Sequence, residues 1–163
     1  MACGSGKTLV ALWAAERLGA RTMLVLLPSL ALVRQTLHEW LHETSWQDVQ
    51  FLCVCSDPTV QSEDDSLLVR PSDLDFAVTT QSADVRRFLE RPTDSVRLVF
   101  STYQSSQVVA AAVTGLPPFD FGVFDEAHKT AGREGARFAL ALIQKSRPAL
   151  LSRRISFTFP HAF

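Results

Sequence analysis

The sequence predicts an α/β fold, a mainly parallel sheet sandwiched by helices, and three observations carry that prediction. Short, nearly continuous apolar runs recur along the chain, the pattern of strands buried on both faces. Stretches with helical apolar spacing lie between most of them. Glycine, proline and serine punctuate many of the changeovers. Strands of buried type that alternate with helices are read as crossovers covering the two faces of one sheet.

Taken in order, residues 9–18 are good helix formers with apolar side chains at helical spacing, closed by Gly19. Residues 22–27 form an apolar strand that Pro28 stops, and Ser29 is placed to cap a helix running to about residue 42. Residues 49–55 predict a second buried strand. Residues 56–72 carry Glu63-Asp64-Asp65 and two prolines, and predict an exposed loop. A strand over 76–80, a helix over 83–90, a strand over 96–101 and a helix over 105–113 follow. A strand over 121–125 and a helix over 134–145 complete the pattern.

Bulk properties narrow the function classes. At 163 residues, 47% hydrophobic and 20% charged, the chain is long enough for one domain around one core. Net charge is −1, so any contact with nucleic acid has to be local rather than driven by a global positive field. The apolar runs are too short to span a bilayer, and no secretory signal is legible. Three cysteines, an odd number, favour a reducing compartment, and cytoplasm is the expected location.

The sharpest local signal is Gly4-Ser5-Gly6-Lys7-Thr8 at the mouth of the first helix. Glycines let backbone N–H groups close around a phosphate, and the helix start adds its positive dipole end. Lys7 would supply charge to the β- and γ-phosphates, and the Thr8 hydroxyl would ligate Mg²⁺. Met1 stands where the strict pattern has its first glycine.

The second half is Phe121-Gly122-Val123-Phe124-Asp125-Glu126-Ala127-His128. An apolar strand ending in two carboxylates puts acid at the carboxyl edge of a parallel sheet, where ligands bind. Asp125 would hold Mg²⁺, and Glu126 would orient and deprotonate an attacking water.

With both halves present the resemblance is specific. Asp125-Glu126-Ala127-His128 resembles motif II of DEAD/DEAH-box superfamily 2 helicases and translocases, and residues 2–8 resemble their motif I. Residues 27–36 resemble motif Ia, and Phe100-Ser101-Thr102-Tyr103-Gln104 resembles motif Ib. The flavour is nearest to the motor domains of type I and type III restriction enzymes. The resemblance implies a RecA-like P-loop NTPase lobe that uses ATP and Mg²⁺ beside a second RecA-like lobe. It implies a nucleic-acid partner, with DNA the expected one, contacted near Pro28, Ser29, Thr102 and Tyr103. It also gives His128 a role coupling nucleotide state to the rest of the motor. Hydroxyl-bearing residues just past strand ends suit phosphate contact without base readout, and they suit helix capping equally well.

Three further readings complete the expectations. The strand that feeds the phosphate loop in this fold is expected to be missing, which leaves a truncated lobe over 1–145 and an atypical tail over 146–163. A central strand is worth about 6–12 kcal/mol of apolar burial, so residues 1–8 are expected to be weakly held. The chain is read as the ATP-binding lobe of a nucleic-acid-dependent ATPase, expected not to turn over ATP alone because an arginine finger from the second lobe would complete the site. The alternative is a catalytically inactive truncated remnant that binds only nucleotide or a partner. His38-Glu39-Trp40-Leu41-His42 matches a zinc-peptidase pattern but has no obvious third ligand. Cys53 and Cys55 share a strand face and are read as buried small hydrophobes, and Trp13, Trp40 and Trp46 as packing residues.

Overall fold

The computed structural model describes residues 5–55 and 76–125. In chain order it contains α1 (Ser5–Arg17), β1 (Thr22–Leu27), α2 (Leu30–Glu43), β2 (Val49–Val54), β3 (Val78–Thr79), α3 (Ser82–Glu90) and β4 (Val96–Thr102). A 3-10 turn (Tyr103–Ser105), α4 (Ser106–Val113) and β5 (Phe121–Phe124) follow. The expected loop over 56–72, the helix over 134–145, the tail over 146–163, and Gly4, Glu126 and His128 all fall outside the described residues.

The strands form one sheet in the order β3-β2-β4-β1-β5, and every pairing is parallel. Side chains alternate across it. Met23, Val25 and Leu27 join Leu98, Phe100, Phe121 and Val123 on the face covered by α1 and α2. Leu24 and Leu26 join Val54 and Val99 on the opposite face with Val85 of α3 and Val109 of α4. This is the three-layer architecture that the apolar runs predict, and it suits the RecA-like lobe that the resemblance implies. Because β1 is covered on both sides, residues 23–27 are all buried, which is why that run is apolar at every position.

Turn chemistry sets the boundaries. Gly19 sits at φ 66°, the left-handed conformation that ends a helix at little cost for glycine. Ser29 is extended and its Oγ accepts from the Leu32 N–H at 3.3 Å, capping α2. On α2, Trp40 stacks edge-on against Phe100 at 5.6 Å between ring centroids, joining the helix to the sheet.

Three expectations are corrected. β3 has only two residues rather than five, because it pairs on one side with Cys53 and Val54 alone; Phe76 packs by its ring against Phe51 instead of joining the ladder. β2 is only half-buried from Val49 to Leu52, since this short neighbour covers none of that stretch. Trp13 is 47% exposed, because α1 turns Ala11, Leu12 and Ala15 toward the core and Trp13 away from it. Trp40 is buried and Trp46 partly so, as read from the sequence.

Candidate functional site

The carboxyl edge of the sheet collects most of the described residues picked out from the sequence. In the pairing register Leu27 stands beside Thr102, Leu26 beside Phe124, and Val54 beside both Ser101 and Thr79. Pro28 and Ser29, Tyr103 and Asp125 are the next residues of their chains, so they share one edge. Connections between parallel strands make this the edge where loops open to ligands.

The amino turn of α1 reaches the same edge. Its last residue, Arg17, is followed by a four-residue connection, closed by Ala20 N–H to Ala15 O at 3.0 Å, into the start of β1. The carboxyl end of α1 therefore sits at the amino edge of the sheet. Ala11, Leu12 and Ala15 lie against the strands, with Leu9 packed alongside, so the helix runs back over the sheet face. Thirteen helical residues span about 20 Å, and the six residues of β1 also span about 20 Å. Ser5, Gly6, Lys7 and Thr8 thus form a helix start at the carboxyl edge, with Thr8 only 7% exposed. Among the described residues a Cβ built on Gly6 meets nothing within 4 Å, so none of them blocks the backbone there.

Asp125 is held from two sides. Its N–H donates to Leu26 O at 3.1 Å, continuing the β5–β1 ladder by one bond. Its carbonyl accepts from the Tyr103 hydroxyl at 2.9 Å. Tyr103 is 8% exposed, with its ring among the apolar residues under α4.

The 3-10 turn that carries Tyr103 is fixed by its own hydroxyls. Thr102 Oγ1 donates to Ser105 Oγ at 3.1 Å, Ser106 Oγ donates to Tyr103 O at 2.7 Å, and Ser101 Oγ donates to Thr102 O at 3.0 Å. Thr102 and Tyr103 are both buried, while Gln104 is exposed at the tip. Ser29 is exposed and caps α2. Among the four residues expected near a nucleic-acid backbone, Ser29 and the half-buried Pro28 face outward.

Cys55 lies at the same edge. Burial pushes its thiol up to about 11, against a smaller opposing effect of a hydrogen bond from the Thr102 backbone. Burial, aided by neighbouring Cys55, raises Cys53 further still. Both are neutral thiols at physiological pH, the small-hydrophobe role expected of them. On α2, Glu39 accepts from Gln35 Nε2 at 2.9 Å and His42 contacts Glu43 at 2.9 Å, so Glu39 and His42 have local partners.

The donor set suits a magnesium–triphosphate. A helix start with an open glycine offers N–H groups to phosphate oxygens, and a threonine hydroxyl with a carboxylate offers hard oxygen ligands. Sequence reasoning missed the Tyr103–Asp125 bond. The polar run Ser101-Thr102-Tyr103-Gln104-Ser105 carries no sign of that bond.

Comparison with known proteins agrees with this fold. A family model described as "Type III restriction enzyme, res subunit" matches residues 1–158. The chain is 34% identical to a nuclease-deletion mutant of the Type ISP restriction-modification enzyme LlaGI, solved in complex with a DNA substrate mimic. The match has a TM-score of 0.62 and covers 86% of this chain and 12% of that one. It is also 34% identical to the ATP-dependent Type ISP restriction-modification enzyme LlaBIII bound to DNA, with a TM-score of 0.64, covering 85% of this chain and 10% of that one. The chain thus spans about a tenth of the length of each. No curated protein matches it in sequence. Matched over nearly its whole length, the chain belongs to the family of the type III restriction enzyme res subunit, with the RecA-like fold of superfamily 2 helicase motors.

Proposed function

We propose that this chain is the ATP-binding lobe of a DNA-dependent ATPase that moves along DNA in a restriction system. The observation that carries the reading is the shared edge: the amino turn of α1 and Asp125 both stand at the carboxyl ends of the strands. Backbone N–H groups at Ser5, Gly6 and Lys7, with Gly4 before them, donate to phosphate oxygens, and Lys7 adds a fixed positive charge. Thr8 and Asp125 hold magnesium, which when bound offsets phosphate charge. Glu126 orients the attacking water, and His128 couples the site to the rest of the motor. Pro28, Ser29, Thr102 and Tyr103 form the side turned to the nucleic-acid backbone, through main-chain groups where the side chain is buried. The whole enzyme completes the site with a second RecA-like lobe, works in the cytoplasm, and needs no membrane; among the described residues no helix is long and apolar enough to cross one.

Binding of a fluorescent ATP analogue, with Mg²⁺ and with chelator, tests the proposal. The chain binds the analogue with Mg²⁺, and Lys7→Ala weakens binding by about tenfold or more, the value of one charge-assisted contact. Equal binding by both proteins, or none by either, contradicts the reading. Hydrolysis measured with and without duplex DNA then separates a working motor lobe from one that binds nucleotide only.

A further inference from the structure

We propose that Tyr103 is a positioning residue for Asp125, its hydroxyl fixing the peptide that follows the metal-site carboxylate. The inference rests on the reading of Asp125 given under Proposed function. Strand pairing in β5 ends at Phe124. One further bond, Asp125 N–H to Leu26 O, fixes the peptide before the aspartate at 3.1 Å. Among the described residues the ladder offers the Asp125 carbonyl no further partner, and the Tyr103 hydroxyl meets it at 2.9 Å. Both peptides flanking the Asp125 Cα are thereby held, and the direction in which its carboxylate leaves the backbone is set. A half-buried carboxylate on a free peptide would sample several directions, and each would cost alignment with its ligand.

The lever itself is rigid. The Tyr103 ring sits in the cluster with Leu24, Leu26, Val109 and Phe119, and the Ser106 hydroxyl bonds its carbonyl at 2.7 Å. The tyrosine hydroxyl has a geometric role that packing does not explain, because the ring alone would fill the same space. Removing the hydroxyl keeps the ring and takes away the donor to the Asp125 carbonyl.

Tyr103→Phe tests the inference through two readouts. The first is the gain in affinity for the ATP analogue that Mg²⁺ provides, obtained from titrations with the ion and with chelator. This gain falls by about 2- to 10-fold in the variant, the value of one neutral hydrogen bond. An equal loss with and without Mg²⁺ marks a merely structural role and overturns the inference. The second is amide hydrogen exchange at Asp125 with no nucleotide present. Exchange speeds up in Tyr103→Phe, and an unchanged rate overturns the inference. Tyr103→Leu, which also loses packing, serves as the folding control through its melting temperature. If the unmodified chain shows no Mg²⁺-dependent binding at all, the reading of Asp125 fails first and the inference goes with it. That result differs from a normal Mg²⁺ gain retained in Tyr103→Phe.

Discussion

The carboxylate of Asp120 accepts both the N–H of Thr22, at 3.0 Å, and its hydroxyl, at 3.1 Å, across 98 residues of chain. The Arg21 N–H donates to the same oxygen at 3.0 Å, and the Asp120 N–H returns a bond to Thr22 O at 3.0 Å. β5 is thus pinned to β1 at its amino end by Asp120, as it is held at its carboxyl end by Asp125 and Tyr103. Asp120→Ala is expected to cost about 0.5–1.5 kcal/mol, the net value of a hydrogen bond whose donors water can reach. Chemical denaturation checks this, and an unchanged midpoint would count against the pin.

Ser29 separates capping from nucleic-acid contact. Ser29→Ala removes the acceptor for the Leu32 N–H and is expected to cost about 0.5–2 kcal/mol. Ser29→Asp keeps a capping oxygen but brings negative charge to the surface expected to meet a phosphate backbone. Its stability should stay near that of the unmodified chain while DNA affinity drops. Unchanged DNA affinity in Ser29→Asp would leave Ser29 a cap alone.

The cysteines give stability a pH dependence with a defined sign. Cys55 is raised from 9.0 to about 11 by burial, so the folded chain keeps its proton where the unfolded chain has lost it. The stabilising contribution is complete below pH 9 and is lost as pH climbs toward 11, with Cys53 adding in the same direction. Denaturation midpoints should fall above pH 9, and less steeply in Cys55→Ala. At neutral pH both thiols should resist alkylation until the chain unfolds, as followed by intact mass.

Leu12 seats α1 on the sheet and is fully buried. Leu12→Ala is expected to cost about 2–5 kcal/mol through transfer and cavity terms. Val10→Ala, on the exposed side of the same helix, should cost far less. Comparable losses at the two positions in thermal melts would contradict the observed facing of α1.

Legibility in the sequence followed the physics of each element. β1 was readable because burial on both faces demands an unbroken apolar run, here Met23 to Leu27, ended by Pro28. The ends of α1 and α2 were readable because Gly19 and Ser29 carry local backbone chemistry. β3 was not, because an edge strand takes its length from what pairs with it, and only Cys53 and Val54 do. In the site, the helix start and Asp125 announced themselves by residue type and spacing. The partners that aim them did not. Asp120 follows two prolines and a phenylalanine with no local pattern, and the Tyr103–Asp125 bond joins residues 22 apart through a side chain and a carbonyl. Long-range hydrogen bonds of this kind leave no period in a sequence.

The central claim is that the first turn of α1 and Asp125 border one magnesium–triphosphate pocket. The most direct measurement replaces Mg²⁺ with Fe²⁺ in the presence of ATP and maps oxidative backbone cleavage by mass spectrometry. Cuts near residues 5–8 and near residue 125, both dependent on ATP and both lost in Lys7→Ala, are the predicted result. Cleavage confined to one of the two segments, or indifferent to ATP, would contradict it.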